Sequence, residues 1–111
     1  MLNWNEYLAQ IKARIGKISK SNPDVIKGYM SLVNAKTENS KLDPKTKELI
    51  ALAVAITTRC DGCIVSHVDA AKKHGATQEE VMEALSVAIA VNTGAALIYT
   101  ARTMDAFEAL K

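Results

Sequence analysis

The sequence has few aromatic residues, glycines or prolines. Its 111 residues include one Trp, three Tyr and one Phe, with five Gly and two Pro. This composition excludes collagen-like and low-complexity chains, and an apolar share of 49% beside 23% charged residues is typical of globular proteins. An apolar core with little aromatic bulk, rich in Ala, Ile, Val and Leu, suits closely packed helices.

No stretch of the chain concentrates charge of one sign. The 14 basic and 12 acidic residues give a net charge of +2, and the basic residues are spread along the chain. A nucleic-acid-binding protein would carry a basic patch, so we expect no nucleic-acid partner. Residues 1–6 have neither the basic nor the apolar segment of a secretory signal, which predicts a cytoplasmic protein.

One uncharged run raises the question of a membrane span. Residues 84–101 carry no charge, and a transmembrane helix needs about 20 apolar residues. Ser86, Asn92 and Thr93 interrupt the run with polar side chains, which favours a buried helical segment, and we expect no membrane partner. A small chain with such apolar faces commonly buries them against copies of itself, so we expect an oligomer.

The apolar spacing predicts an all-α fold, with residues 1–111 forming one compact domain of about six helices. Steps of three and four between apolar residues indicate helix, and no stretch alternates with period two for long. Caps and prolines mark the starts, and residues 37–42 form a polar loop. The first predicted helix is N-terminal and carries an apolar stripe: Trp4, Leu8, Ile11, Ile15 and Ile18. The second runs from Pro23 to about Ala35 with Asn22 as its cap, and the third runs from Pro44 to about Thr57 with Asp43 as its cap. The fourth runs through Cys63 to His74 and is closed by Gly75, the fifth opens with a capping box at Thr77 to Glu80, and the sixth runs from Ala95 to Leu110 after a break at residues 92–94.

Burial can also be predicted for one of these helices. Residues 49–56 of the third helix are apolar on all sides. A helix that is hydrophobic all round is normally buried. We therefore expect the third helix to be covered on most sides.

Two cysteines and a histidine are spaced to share one face of a helix. Cys60 and Cys63 form a C-x-x-C motif, and His67 follows four residues later. At about 100° of turn per residue, the three side chains fall within an arc of roughly 60°. If the helix begins near Cys60, its unpaired N–H groups and positive dipole end favour a thiolate, as a reactive dithiol requires.

Other interpretations of these residues are open. A structural disulfide would close so short a loop that it contributes only about 2 kcal/mol, and a reducing cytosol would remove it. Zinc could bind Cys60, Cys63 and His67, but His74 lies about 10.5 Å further along the axis. Glu48 or a neighbouring subunit would have to supply the fourth ligand. Two cysteines packed as small hydrophobes fit poorly at a helix start. We expect no metal and no cofactor.

Activation of a thiol alone would give little catalysis. Lowering a thiol pKa from about 8.5 to 6.5 raises the thiolate fraction at pH 7 from roughly 3% to roughly 75%, but intrinsic nucleophilicity falls nearly tenfold. A dithiol enzyme must therefore also move protons. His67, one turn after Cys63, is the nearest acid and base. Glu48 is the carboxylate that would orient its ring if the third and fourth helices pack together.

Glu48, Cys60, Cys63 and His67 together make the pattern E-x11-C-x2-C-x3-H. Here the sequence resembles the alkylhydroperoxidase D-like family, within the carboxymuconolactone decarboxylase superfamily, over about residues 41–101. The resemblance implies an all-helical unit that assembles as a homotrimer or homohexamer. It further implies that Cys63, deprotonated through His67 and Glu48, attacks a peroxide and that Cys60 resolves the sulfenic acid by forming a disulfide.

The resemblance also implies the partners of the reaction. The substrate would be a small hydroperoxide or a disulfide, and the reductant an external lipoyl-type dithiol or a thioredoxin-like protein. Superfamily members that decarboxylate lactones lack the C-x-x-C motif, which weighs against decarboxylation. A decarboxylase-like acid–base enzyme and a non-enzymatic oligomeric module with zinc at Cys60, Cys63 and His67 are the alternatives.

Four other residues are weaker candidates for function. Arg59 precedes the cysteines and could lower a thiol pKa, but a surface arginine or a partner of Asp61 is the simpler interpretation. His74 suits the last turn of a helix, where the dipole favours a cation. Tyr29 and Tyr99 are candidates for lining a substrate channel.

Overall fold

The computed structural model describes residues 1–36 and 38–111, and in this part of the chain it contains only α-helices. The all-α class predicted from the sequence is therefore confirmed. Residues 38–42 of the predicted polar loop are non-helical, and Thr37 of that loop lies outside the described residues. The helices are α1 (Trp4–Ser21), α2 (Pro23–Val33), α3 (Pro44–Thr58), α4 (Asp61–Lys73) and α5 (Gln78–Ala109).

Side-chain caps fix the starts of α3 and α5. The Asp43 carboxylate accepts a hydrogen bond from the Thr46 N–H at 2.7 Å and so caps α3. Thr77 and Glu80 form the predicted capping box of α5, each side chain accepting from the other residue's backbone N–H. These groups satisfy N–H donors that have no partner within the helix.

The start of α2 differs in one detail from the prediction. The Asn22 side chain makes no capping bond, although its backbone closes α1 by donating to the Ile18 carbonyl. Pro23 still stands at the first helical position, where its fixed φ suits a helix and its missing N–H costs nothing. The helix ends at Val33, two residues before the predicted end.

The predicted break at residues 92–94 is wrong. Residues 1–36 and 38–111 form five helices rather than six because α5 continues through this segment to Ala109. Asn92 and Thr93 bond back to the carbonyls of Ala88 and Ile89, one turn earlier, and so do not oppose the helix. Gly94 costs about 1 kcal/mol relative to Ala. The segment contains no proline, and the cost of one glycine is too small to end a helix of this length.

The core lies along α3, where α4 and α5 pack on it. α3 packs on both α4 and α5, whereas α1 packs on α4 and α2 packs on α1. The predicted burial of residues 49–56 on most sides is wrong for a single chain, since Ile50 and Val54 are 48% and 55% exposed. The buried residues are few and come from the three central helices: Leu52, Ala55, Val65, Ala71 and Ala88.

The distal half of α5 extends away from this core. Every residue from Ile89 to Lys111 is exposed. The radius of gyration is 18.3 Å, against about 13 Å for a compact chain of this length. The accessible surface is 9089 Å², against about 6,000 Å² for a folded monomer of this mass. By length and composition alone α5 would also pass for a membrane-spanning helix, with only 6% of its most apolar window buried.

Candidate functional site

A tight turn between α3 and α4 places the first cysteine. Arg59 adopts the left-handed conformation, with φ 56° and ψ 51°, and ends α3. The N–H of Arg59 and that of Cys60 both donate to the Ala55 carbonyl, the latter at 3.1 Å. This closure satisfies the end of α3 and directs the chain immediately into α4.

Cys60 and Cys63 form a disulfide at the start of α4. Their Cα atoms are 5.2 Å apart, and both residues are half-buried. Cys60 is the N-cap residue of α4, and its Sγ accepts a hydrogen bond from the Cys63 N–H at 3.1 Å. The predicted helix start near Cys60 is confirmed. A sulfur at this position lies beside unpaired N–H groups and the positive end of the helix dipole.

Glu48 and His67 meet across the contact between α3 and α4. His67 Nδ1 lies 2.7 Å from Glu48 Oε2, and the side chains are 35% and 21% exposed. An ionised carboxylate can only accept, so Nδ1 carries the hydrogen and Nε2 is the free ring nitrogen. The predicted contact is present in the structure, while the catalytic roles of both residues stay a prediction.

The helical register places His67 on the same face of α4 as Cys63 of the disulfide. Cys63, His67 and Ala71 follow one another at intervals of four on α4, and Ala71 is buried. On α3, Glu48 stands one turn before the buried Leu52. Residues four apart share a helix face. The dithiol, the imidazole and the carboxylate therefore follow the inward-facing sides of two packed helices.

α1 covers another side of the N-terminal turn of α4. A Cβ added to Gly62 would stand 3.9 Å from Ile11 Cδ1. Further along, α1 and α4 bound a groove of about 430 Å³ whose lining includes Trp4, Leu8, Ile64 and Val68. Neither the cysteines nor the glutamate and histidine of the site belong to its lining.

The weaker candidates lie away from this arrangement. Arg59 is exposed and serves as the left-handed end of α3, and His74 is the exposed C-cap of α4. Tyr29 and Tyr99 are 56% and 64% exposed, and neither belongs to the lining of the groove between α1 and α4. The Tyr99 ring instead contacts the Arg102 guanidinium at 5.1 Å.

The described residues contain no preformed set of metal ligands. Within residues 1–36 and 38–111 no three His, Cys, Asp or Glu side chains converge to hold an ion. Glu48 Oε2 is engaged with the His67 ring, and both sulfurs share a bond with each other. A thiolate is the form that binds zinc, so a disulfide cannot supply the two sulfur ligands.

One ion pair near the site was not predicted from the sequence. Lys45 Nζ lies 2.6 Å from Glu80 Oε2 and joins the first turns of α3 and α5. The Glu80 carboxylate raises the pKa of Lys45, and the Lys45 ammonium with the Thr77 N–H lowers the pKa of Glu80. Glu48 stands three residues after Lys45, so the pair anchors the segment of α3 that carries it. No local signal reveals such a contact, since the residues are far apart in sequence.

The fold and site define an all-helical protein with a redox-capable C-x-x-C at a helix start. The model of the carboxymuconolactone decarboxylase family matches residues 23–111. The chain belongs to this family.

Individual proteins are similar to this chain over most of its length. An uncharacterized protein of Haemophilus influenzae is 44% identical, with 98% of this chain and 96% of the relative covered. The uncharacterized protein 4 in the cox locus of Paracoccus denitrificans is 34% identical over 87% of each chain. A crystal structure of a carboxymuconolactone decarboxylase family protein from Legionella pneumophila, in its apo form, superposes with a TM-score of 0.75 at 38% identity, covering 95% of this chain and 94% of that one.

Proposed function

We propose that this protein is a cytoplasmic, thiol-dependent oxidoreductase that reduces small hydroperoxides through Cys60 and Cys63, using Glu48 and His67 as a proton relay. The observation that carries the proposal is the hydrogen bond between Glu48 and His67, whose ring stands one helical turn after Cys63. A base oriented by a carboxylate next to a nucleophile is the arrangement that covalent catalysis requires.

The oxidative steps follow from the positions of the groups. The Cys63 thiolate attacks the terminal oxygen of the hydroperoxide, so that an S–O bond forms and the O–O bond breaks. The alcohol leaves with the proton that His67 took from the Cys63 thiol. The Cys60 thiolate then attacks the sulfenic sulfur, the disulfide forms, and hydroxide leaves as water after protonation. An external dithiol returns the two electrons.

Two other activities have less support. Exchange of disulfides would use the same cysteines without the peroxide step. Decarboxylation would use Glu48 and His67 as acid and base, yet it gives no role to the cysteine pair that lies one turn away. Zinc measured on protein purified without chelator tests the non-enzymatic alternative, and near-stoichiometric metal would contradict the redox proposal.

The test is mass analysis after mild peroxide treatment of the reduced protein. The wild type should lose two hydrogens within residues 60–63. Cys60→Ser should trap a sulfenic acid, whereas Cys63→Ser should form none. Ser66→Ala, an exposed change on α4, is the matched control and should behave as the wild type. Unchanged oxidation products in both cysteine variants would show that these roles are wrong.

We also propose that the protein is a homo-oligomer, a trimer or a hexamer, in which the exposed half of α5 packs against further copies. The surface excess of roughly 3,000 Å² over a folded monomer of this mass is of the size that stable assemblies bury. Exposed apolar residues at 97, 98, 104 and 107 favour such a contact. Asn92, Thr100, Arg102 and Asp105 on the same helix suit a protein interface better than lipid.

Sedimentation of the wild type and of charged variants tests this assembly. Leu97→Lys and Met104→Lys fall on one face of α5 and should reduce the oligomer to smaller species. Thr103→Lys adds the same charge on another face and should do so less. A monomeric wild type, or flotation of the protein with phospholipid vesicles, would contradict assembly through α5.

A further inference from the structure

We infer that the external reductant attacks the sulfur of Cys60, and that Cys63 is the sulfur that leaves. This inference rests on the proposed redox function and adds to it the direction of the reductive step. The two sulfurs of the disulfide look alike in the sequence, but the structure surrounds them with different groups.

Cys60 stands where the helix N-terminus can stabilise its thiolate, so that no proton donor is needed. Its Sγ accepts the Cys63 N–H at the N-cap of α4, the position at which Ser, Thr or Asp oxygens normally accept. The chain that leads to it, Thr57 to Arg59, is exposed. A donor thiol can therefore approach Cys60 from the open turn between α3 and α4.

Cys63 stands where a proton can be delivered. It shares a helix face with His67 one turn later, and Glu48 holds Nδ1 of that ring, which leaves Nε2 for proton transfer. Ala71, two turns after Cys63 on the same face, is buried, while Cys63 itself is half-buried like Cys60. Cys63 thus lies on the face of α4 that carries His67 and packs towards α3.

These surroundings suit the two successive departures of reductive exchange. A donor dithiol gives the proton of its first thiol to His67, and its thiolate attacks Cys60 Sγ. The bond between the two cysteines breaks, and the Cys63 sulfur leaves with the electron pair and takes that proton. The second donor thiol, after losing its proton to solvent, attacks the first donor sulfur. Cys60 then leaves as a thiolate that accepts the Cys63 N–H, and the donor is left as a disulfide.

Thiol–disulfide exchange is fastest when the leaving sulfur is stabilised as it departs. In this order each cysteine leaves when its own stabilising group can act, His67 for Cys63 and the helix N-terminus for Cys60. If the donor attacked Cys63 first, Cys60 would leave in the first step and Cys63 in the second. The helix N-terminus would then act in the first step, and the second step would need the proton relay.

The two single-cysteine variants test this inference through the reverse reaction, with oxidised glutathione as the probe. Cys63→Ser should form the glutathione mixed disulfide at pH 7 at least tenfold faster than Cys60→Ser. With hydrogen peroxide the order should be inverted, because the departing oxygen needs the proton that His67 delivers beside Cys63. Both variants lose the same disulfide, so they are matched for its loss, and circular dichroism checks their folding.

A second measurement uses the wild-type disulfide and reduced glutathione, a monothiol that stalls after the first step. After acid quenching and alkylation, peptide mapping should place glutathione on Cys60 and the alkyl group on Cys63. Glutathione mainly on Cys63, or a faster reaction of Cys60→Ser with oxidised glutathione, would overturn the inference. If peroxide fails to re-form the disulfide while glutathione still selects Cys60, the peroxidase proposal fails and the assignment of the donor sulfur stands.

Discussion

The Glu48 carboxylate accepts a hydrogen bond from His67 Nδ1 at 2.7 Å, across the contact between α3 and α4. In the proposed mechanism this bond fixes the ring tautomer and supports the charge that His67 gains when it takes a proton. Glu48→Gln keeps an acceptor of similar shape and removes the charge. We expect it to slow peroxide-driven disulfide formation by about 10- to 100-fold, within the range that general acid–base groups contribute.

Stopped-flow oxidation with acid quenching measures this rate over pH 5 to 9. Glu79→Gln removes an exposed carboxylate from the first turn of α5, where it has no contact with the site, and should leave the rate unchanged. Equal rates for wild type and Glu48→Gln across this range would show that the hydrogen bond is only structural.

Some of this site could be predicted from the sequence and some could not. The contact between Glu48 and His67 follows from the helix period together with the expectation that two apolar helices pack side by side. The caps at Asp43 and Thr77 are local signals and appear where they were predicted. The pair of Lys45 and Glu80 depends on where α5 starts in space relative to α3, which no local pattern determines.

The predicted break near Gly94 and the burial of residues 49–56 fail for a different reason. Whether Asn92 and Thr93 end a helix depends on what their side chains bond to, and here they bond to carbonyls one turn earlier. An apolar run predicts that a helix face is buried, but it does not show whether the same chain or another chain buries it. Ile50 and Val54 remain about half exposed in the single chain, and the proposed oligomer would offer a second copy to cover them.

The Asp43 cap should stabilise the fold at neutral pH, and this contribution should be lost in acid. The hydrogen bond from the Thr46 N–H lowers the pKa of Asp43, with Lys45 adding to the effect. A carboxylate whose pKa is lower in the folded state stabilises the fold above its unfolded pKa near 4, and the contribution is lost as the pH falls through the folded pKa. Asp43→Asn keeps a capping oxygen and should keep most of the Tm at pH 7, whereas Asp43→Ala should lower it.

Thermal unfolding of wild type, Asp43→Asn and Asp43→Ala between pH 2 and 7 checks this expectation. The difference in Tm between wild type and Asp43→Ala should shrink below about pH 4. A difference that stays constant down to pH 2 would contradict an ionised cap.

The pair of Lys45 and Glu80 should act as a unit. Both side chains are about one-third exposed, at 34% and 35%, so solvent screens the pair and its effect is modest. Lys45→Met and Glu80→Gln should each lower the Tm, and the double variant should lower it by less than the sum. The coupling should weaken in 1 M NaCl.

The pH dependence of the pair has two limits. The pKa of Glu80 is lowered, so its contribution is present above about pH 4.3 and is lost as the pH falls through the folded pKa. The pKa of Lys45 is raised, so its contribution is present below about pH 10.4 and is lost as the pH rises through the folded value. Lys47→Met, an exposed change on the same helix, is the control, and additive effects of Lys45→Met and Glu80→Gln would contradict the coupling.

Arg59 holds the turn before Cys60 in a conformation that L side chains rarely adopt, at φ 56°. Glycine enters this region freely but adds entropy to the unfolded chain, whereas a β-branched residue is strongly disfavoured there. We expect Arg59→Gly to leave the free energy of unfolding equal or higher, and Arg59→Val to lower it by about 1 kcal/mol or more. Urea unfolding of the oxidised protein measures both, with Thr58→Val as a β-branched control at the preceding helical residue. If Arg59→Val were as stable as Arg59→Gly, the left-handed turn that delivers Cys60 to the start of α4 would not be present in solution.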